Sequence, residues 1–110
     1  MMRAYELMVI VDGDVEDPKA QSWVKTVTEG ITAAGGSLHG KPDWWGKRQY
    51  AYPINKKESG YYLVVQCMAA GGALDELERQ LRLADDIVRH KLIRLPEAEA
   101  VRRGFEVPAA

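Results

Sequence analysis

Between Asp43 and Lys57 the chain reads Asp-Trp-Trp-Gly-Lys-Arg-Gln-Tyr-Ala-Tyr-Pro-Ile-Asn-Lys-Lys. Aromatic rings and cations alternate there at strand spacing, and a cationic turn follows. Lys and Arg neutralise phosphate, and exposed rings stack on unpaired bases or on guanidinium planes. The stretch therefore suits a surface that meets a nucleic acid better than it suits an enzyme pocket. The same alternation also builds the half-buried face of an ordinary sheet, and Tyr50, Tyr52, Tyr61 and Tyr62 are read as sheet packing rather than base stacking.

Other reactive constellations are weak. Cys67 with His39 or His90 could in principle pair a nucleophile with a base. Cys67 lies within an apolar strand, however, and both histidines lie on other strands, so a buried thiol and two strand histidines are the plainer reading. There is no Cys-x-x-Cys, no His-Glu-x-x-His and no acidic loop of calcium-binding length, which predicts no metal and no cofactor. Asp12-Gly13-Asp14 reads as a turn. Gly35-Gly36 and Gly71-Gly72 lack the lysine of a phosphate-cradling loop and the dinucleotide fingerprint. Gly60-Tyr61-Tyr62-Leu63-Val64-Val65 does not match the aromatic signature of an RNA recognition motif.

A chain of 110 residues fits one domain with one core. Its 46% hydrophobic and 28% charged composition is that of a soluble globular protein, with no apolar run of membrane-span length and no secretory signal pattern. A single cysteine cannot form an internal disulfide, which points to a cytoplasmic home. The net charge of −1 excludes a generic polycation, but the charge is unevenly spread. Residues 37–94 hold ten Lys or Arg against seven Asp or Glu, a balance of +3, so an anion-facing surface belongs to the second half.

The elements that would position these groups follow from periodicity. Tyr5, Leu7, Val9 and Val11 alternate with Met8 and Ile10, which predicts a central strand apolar on both faces. Asp17 is expected to cap a helix with Pro18 at its first position. Ala20, Trp23, Val24, Val27, Ile31 and Ala34 recur at helical spacing, Gly30 weakens the run, and Gly35-Gly36 ends it. Ser37–Ile54 and Gly60–Ala69 form a hairpin around Asn55–Ser59. Pro42, Gly46 and Pro53 assign its first arm to a sheet edge. Leu74, Leu77 and Leu81 mark a second helix with Asp75 and Glu76 in its first turn. Ile87–Leu95 is a last strand. Ala98–Ala110 forms either a short helix with a loose end or a tail that orders only on a partner.

This order is β-α-β-β-α-β. Right-handed crossovers give an α+β, ferredoxin-like fold: a four-stranded antiparallel sheet with two helices on one face. The expected division is a domain at residues 1–95 and a C-terminal tail at 96–110. The architecture alone does not choose a function, and a metabolite-binding regulatory domain of the same fold is the alternative. A small dimeric enzyme of this fold would need a positioned acid or histidine, for which only His39 and His90 offer themselves.

Three segments together resemble the bacterial small-ribosomal-subunit protein S-six family. They are Met2-Arg3-Ala4-Tyr5-Glu6-Leu7-Met8, the run from Trp45 to Lys56, and the run from Leu77 to Arg94. The Trp44-Trp45 pair departs from the family's single Trp, and Lys47-Arg48 stands where the family has a more basic arginine pair. The resemblance implies a non-enzymatic protein that binds the central domain of small-subunit ribosomal RNA with the small protein S-eighteen. It implies no membrane and no small-molecule substrate, and a C-terminal tail that orders on its partner. On this reading Lys47, Arg48, Lys56, Lys57, Arg79, Arg82, Arg89, Lys91 and Arg94 contact RNA, mostly at phosphates, which fix position rather than sequence. The modest charge implies weak RNA binding by the chain alone.

Overall fold

The structure is a computed structural model describing residues 2–54 and 57–105; the side chains of Pro53, Ile54 and Lys57 lie outside the described set. Strand β1 (Met2–Asp12) places Tyr5, Leu7, Val9 and Val11 against the helices, as their alternation predicts. Helix α1 (Asp17–Ala33) begins one residue earlier than expected, with Glu16 in the capping position and no side-chain cap. The Asp17 carboxylate instead accepts a hydrogen bond from the Gln21 side chain at 2.9 Å. Gly35 ends the helix at φ 84°, a left-handed conformation that glycine adopts without strain.

The expected second strand divides into β2 (Ser37–Leu38) and β3 (Asp43–Ile54). Both pair antiparallel with β4 (Lys57–Ala70) on its outer side. The hairpin is tighter than the sequence suggests: Ile54 pairs with Lys57, so Lys57, Glu58 and Ser59 belong to the strand rather than to the turn. After Gly71 and Gly72, helix α2 (Asp75–Leu83) leads to β5 (Ile87–Arg94) on the far side of β1. Across the sheet the order is β2/β3, β4, β1, β5, every pairing antiparallel. The sheet is therefore four strands wide, with β4 and β1 central and one outer column broken in two.

Helices α1 and α2 cover one face. Val27, Ile31, Leu77 and Leu81 pack there on Leu7, Val9, Leu63 and Val65, all buried. The helices approach closely because Gly30 has no side chain: a Cβ there would lie 2.9 Å from Leu77 Cδ1. The residue that weakens α1 by propensity is thus the one that lets α2 seat.

A third helix, α3 (Glu97–Arg102), follows Pro96. It lies on the opposite face of the sheet, where Ala100 and Phe105 join Leu95, Ala4 and Met68 in a second, smaller apolar cluster. Two helices thus cover one face, and one end of the other face is covered as well.

Candidate nucleic-acid interface

A β-bulge separates the two tryptophans. Trp44 pairs with Leu63 and Gly46 with Tyr62, leaving Trp45 as the extra residue. Gly46 at φ 78° makes the bulge possible. Trp44 therefore faces the helices and stacks on Tyr61, with ring centroids 5.6 Å apart and planes 18° apart. Trp45 faces the other way and stacks on Tyr62 at 5.7 Å and 11°. Its indole N–H donates to Asp43 Oδ2 at 2.8 Å, which fixes the ring while leaving it 45% exposed.

The tyrosines divide as well. Tyr61 is buried and its hydroxyl donates to the Val15 carbonyl at 3.0 Å. Tyr50 meets Tyr62 edge-on at 6.2 Å. Burial pushes the Tyr50 hydroxyl above its ordinary range, Tyr62 and Asp12 add to the shift, and Arg89 opposes it. Tyr52 departs from the packing expectation: the register slips between Gln49 and Ile54, and the ring stands 75% exposed. Where paired backbone no longer holds a strand to its neighbour, side-chain alternation no longer reports burial.

The nine candidate cations fall in separate places. Lys47 lies on the helix side of β3, its Nζ 6.0 Å from the Tyr61 ring centroid. Arg48, opposite Gly60, is exposed on the other side. Arg89 and Lys91 are exposed on β5, opposite Ile10 and Met8, and so share the face of Arg48. His90, Leu92 and Arg94 take the helix side, where His90 Nε2 lies 3.1 Å from Glu78 Oε2. Arg79 pairs with Glu76 at 3.5 Å on α2, and Arg82 occupies the last turn of that helix. Lys57 is in β4, but its side chain, like the whole of Lys56, lies outside the described residues. Since β3 and β5 are opposite edges of the sheet, Arg48 and Arg89 stand three strand spacings apart, about 14 Å. The molecule offers two cationic borders and a helix surface rather than one basic patch.

One polar cluster escaped sequence reading. Arg103 reaches Glu6 Oε2 and Glu99 Oε1, both at 2.7 Å. The His39 ring stacks on Phe105 at 4.0 Å, and its Nε2 lies 2.9 Å from the Arg103 carbonyl oxygen. These residues come from three distant places in the chain, and only the i,i+4 spacing of Glu99 and Arg103 is visible in the sequence. Beside them His39, Lys41, Pro42, Asp43, Val64 and Gln66 line an open cleft of about 380 Å³.

Among the described residues the thiol and the two imidazoles are not brought together. Cys67 is fully buried on the helix side, and burial pushes its thiol up to about 11. His39 faces the other side of the sheet, and His90 stands two strands away in the row of Leu63. Among the described residues, no group of three or more His, Cys, Asp or Glu could hold a metal ion.

Comparison with known proteins adds a family. The model described as Ribosomal protein S6 matches residues 4–94. The small ribosomal subunit protein bS6 of Paenarthrobacter aurescens is 46% identical over 100 residues, covering 91% of this chain and 97% of the relative. That of Salinispora arenicola is 45% identical over 93 residues, covering 84% and 96%. The crystal structure of 30S ribosomal protein S6 from Thermotoga maritima superposes with a TM-score of 0.84 at 30% identity, covering 94% of this chain and 96% of that one.

Proposed function

The chain belongs to the ribosomal protein S6 family, and on that premise we propose that it binds the central domain of small-subunit ribosomal RNA jointly with the protein S-eighteen. Family membership makes it a small-subunit protein of the cytoplasmic ribosome. Its role there is structural rather than catalytic. Lys47, Arg48, Lys56, Lys57, Arg79, Arg82, Arg89, Lys91 and Arg94 supply the phosphate contacts.

The observation that carries this reading is the exposure of Arg48, Arg89 and Lys91 on one sheet face, at its two borders, around an aromatic floor of Trp45 and Tyr62. Such borders meet two phosphate runs better than one. Because they are far apart and the net charge is −1, few phosphates are neutralised at once, and a basic partner supplies the remaining cations.

Titration of a central-domain RNA fragment tests this directly. Tight binding is expected only when the chain and S-eighteen are both present. Replacing Arg89 or Lys91 with Ala should then lower the slope of log affinity against log salt by about 1 each, without changing which RNA is chosen. Equal affinity with and without S-eighteen would refute joint recruitment.

A further inference from the structure

Near its tip the hairpin of β3 and β4 opens. Gln49 pairs with Ser59 and Ile54 with Lys57, so Tyr50, Ala51, Tyr52 and Pro53 stand opposite Glu58 alone. Four residues against one make β3 arch away from its partner, and bulges of this kind re-aim side chains. The arch frames a cleft of about 180 Å³ lined by Gln49, Tyr50, Ala51, Tyr52 and Glu58. That is below the roughly 300–1,000 Å³ of sites that enclose a whole small ligand, so the cleft takes one flat group presented from outside.

The arch is anchored at its base. Tyr50 meets Tyr62 edge-on, and its hydroxyl lies against Gly60. Pro53 confines the residue before it to extended backbone, so Tyr52 keeps its place on the arch. At 75% exposure Tyr52 is the most exposed large hydrophobic side chain among the described residues. An uncovered ring on an anchored backbone loses little freedom when a second ring lies on it.

The rest of the lining says which ring. Glu58 is the only charged residue in the cleft. An ionised carboxylate only accepts hydrogen bonds, and it repels the phosphates that Lys56 and Lys57 beside it in the sequence attract. Its two oxygens match two adjacent N–H donors. Among the four RNA bases only guanine offers such a pair, at N1 and N2 of its Watson–Crick edge. Adenine and cytosine place an acceptor nitrogen beside their amino group, and uracil flanks its single N–H with two carbonyls. Unpaired bases are read in this way, by a ring on the face and polar groups on the edge.

We propose that this cleft holds one unpaired guanine of the small-subunit ribosomal RNA, stacked on Tyr52, with its N1–H and N2 amino group donating to the Glu58 carboxylate. This rests on the RNA-binding reading above and adds a base-reading site to contacts that otherwise meet phosphate.

The test uses the full chain, purified S-eighteen and a central-domain RNA fragment, with a glyoxal reagent that modifies N1 and N2 of unpaired guanine. In the complex of the natural chain, one guanine that reacts in the free RNA should be protected. It should regain reactivity with Tyr52→Leu and with Glu58→Gln. Each of these variants should bind about tenfold more weakly, the scale of one stacked base or one bidentate base contact. Tyr52→Phe keeps the ring and should bind as the natural chain does. Tyr52→Leu should leave the salt slope unchanged, which the loss of a phosphate contact would not. Both side chains are exposed, so the melting temperatures should stay at that of the natural chain. Tighter binding by Glu58→Gln would mean that the carboxylate merely repels the RNA, and would overturn the guanine site. Unchanged affinity with both Tyr52→Leu and Glu58→Gln would overturn it as well, as would saturable binding of guanosine monophosphate without any guanine protected in the RNA. In each of these cases joint recruitment stands. No binding of the fragment by the natural chain with S-eighteen would overturn both readings.

Discussion

The two faces of the sheet are built to different standards. Among the described residues, fifteen buried ones from β1, β4, α1, α2 and the turn before α2 form one continuous core on the helix side, whereas the buried cluster on the other side has four. Alternation along β4 makes the contrast sharp: Tyr61, Leu63, Val65, Cys67 and Ala69 are buried, while Tyr62, Val64, Gln66 and Met68 are only half-buried. Hydrophobic stabilisation scales with apolar area withdrawn from water, so the first face holds the fold together and leaves the second free to carry contacts. Borders of exposed cations and a short helix on a small apolar cluster fit that division.

Neighbouring positions can break this comparison. Leu63 is fully buried on the helix side, and Leu63→Ala should cost roughly 2–5 kcal/mol in urea unfolding. Gly60→Ala should cost roughly 1–3 kcal/mol, because a Cβ would run into the Tyr50 hydroxyl and lie 2.9 Å from the Val11 carbonyl oxygen. Calorimetry of that variant should show a lower melting temperature, and an unchanged one would mean that the Tyr50 hydroxyl does not lie against Gly60. Phe105→Ala should cost about 1–2 kcal/mol, since its cluster is small and has room to relax. Val64→Ala, one residue from Leu63 but on the other face, should cost below about 1 kcal/mol. Equal losses at Leu63 and Val64 would erase the distinction between the faces.

Acid should separate the faces more gently. Hydrogen bonds from Arg102, then from Arg103, hold the Glu99 carboxyl below its ordinary value of 4.5. A lowered folded pKa means that its stabilising contribution is complete above 4.5 and is lost as pH falls through the lower folded value. Amides of residues 100–105 should therefore gain exchange on acidification while those of β1 and β4 remain protected. Simultaneous exposure of both sets would show that the C-terminal segment is part of the main cooperative unit.

Much of the architecture was legible because regular burial leaves regular spacing. Tyr5, Leu7, Val9 and Val11 revealed the helix-facing side of β1, and Ala20, Val27 and Ile31 revealed the inner stripe of α1. The start of α1 was one residue off because Glu16 and Asp17 are both acidic and Pro18 tolerates either frame. Simple alternation along β5 separates Arg89 and Lys91 from His90 and Arg94. Irregular backbone was harder to read. The bulge at Trp45 and the slipped register before Ile54 decide which rings are exposed, and neither changes composition. The seat of the C-terminal segment was the least legible part. Ala4, His39, Met68 and Phe105 meet only in three dimensions, and Ala100 and Phe105 are too few to mark an amphipathic helix.

The broken outer column has a consequence for the protein before it reaches its ribosome. A long straight border of unpaired amides and carbonyls would invite copies of the same chain to zip together. Here β2 spans two residues, the backbone leaves β4 between His39 and Pro42, and Trp45 bulges soon after. The interruptions shorten the continuous stretch of backbone that this border offers to a second chain, and the other border, β5, carries exposed Arg89, Lys91 and Arg94 along its length.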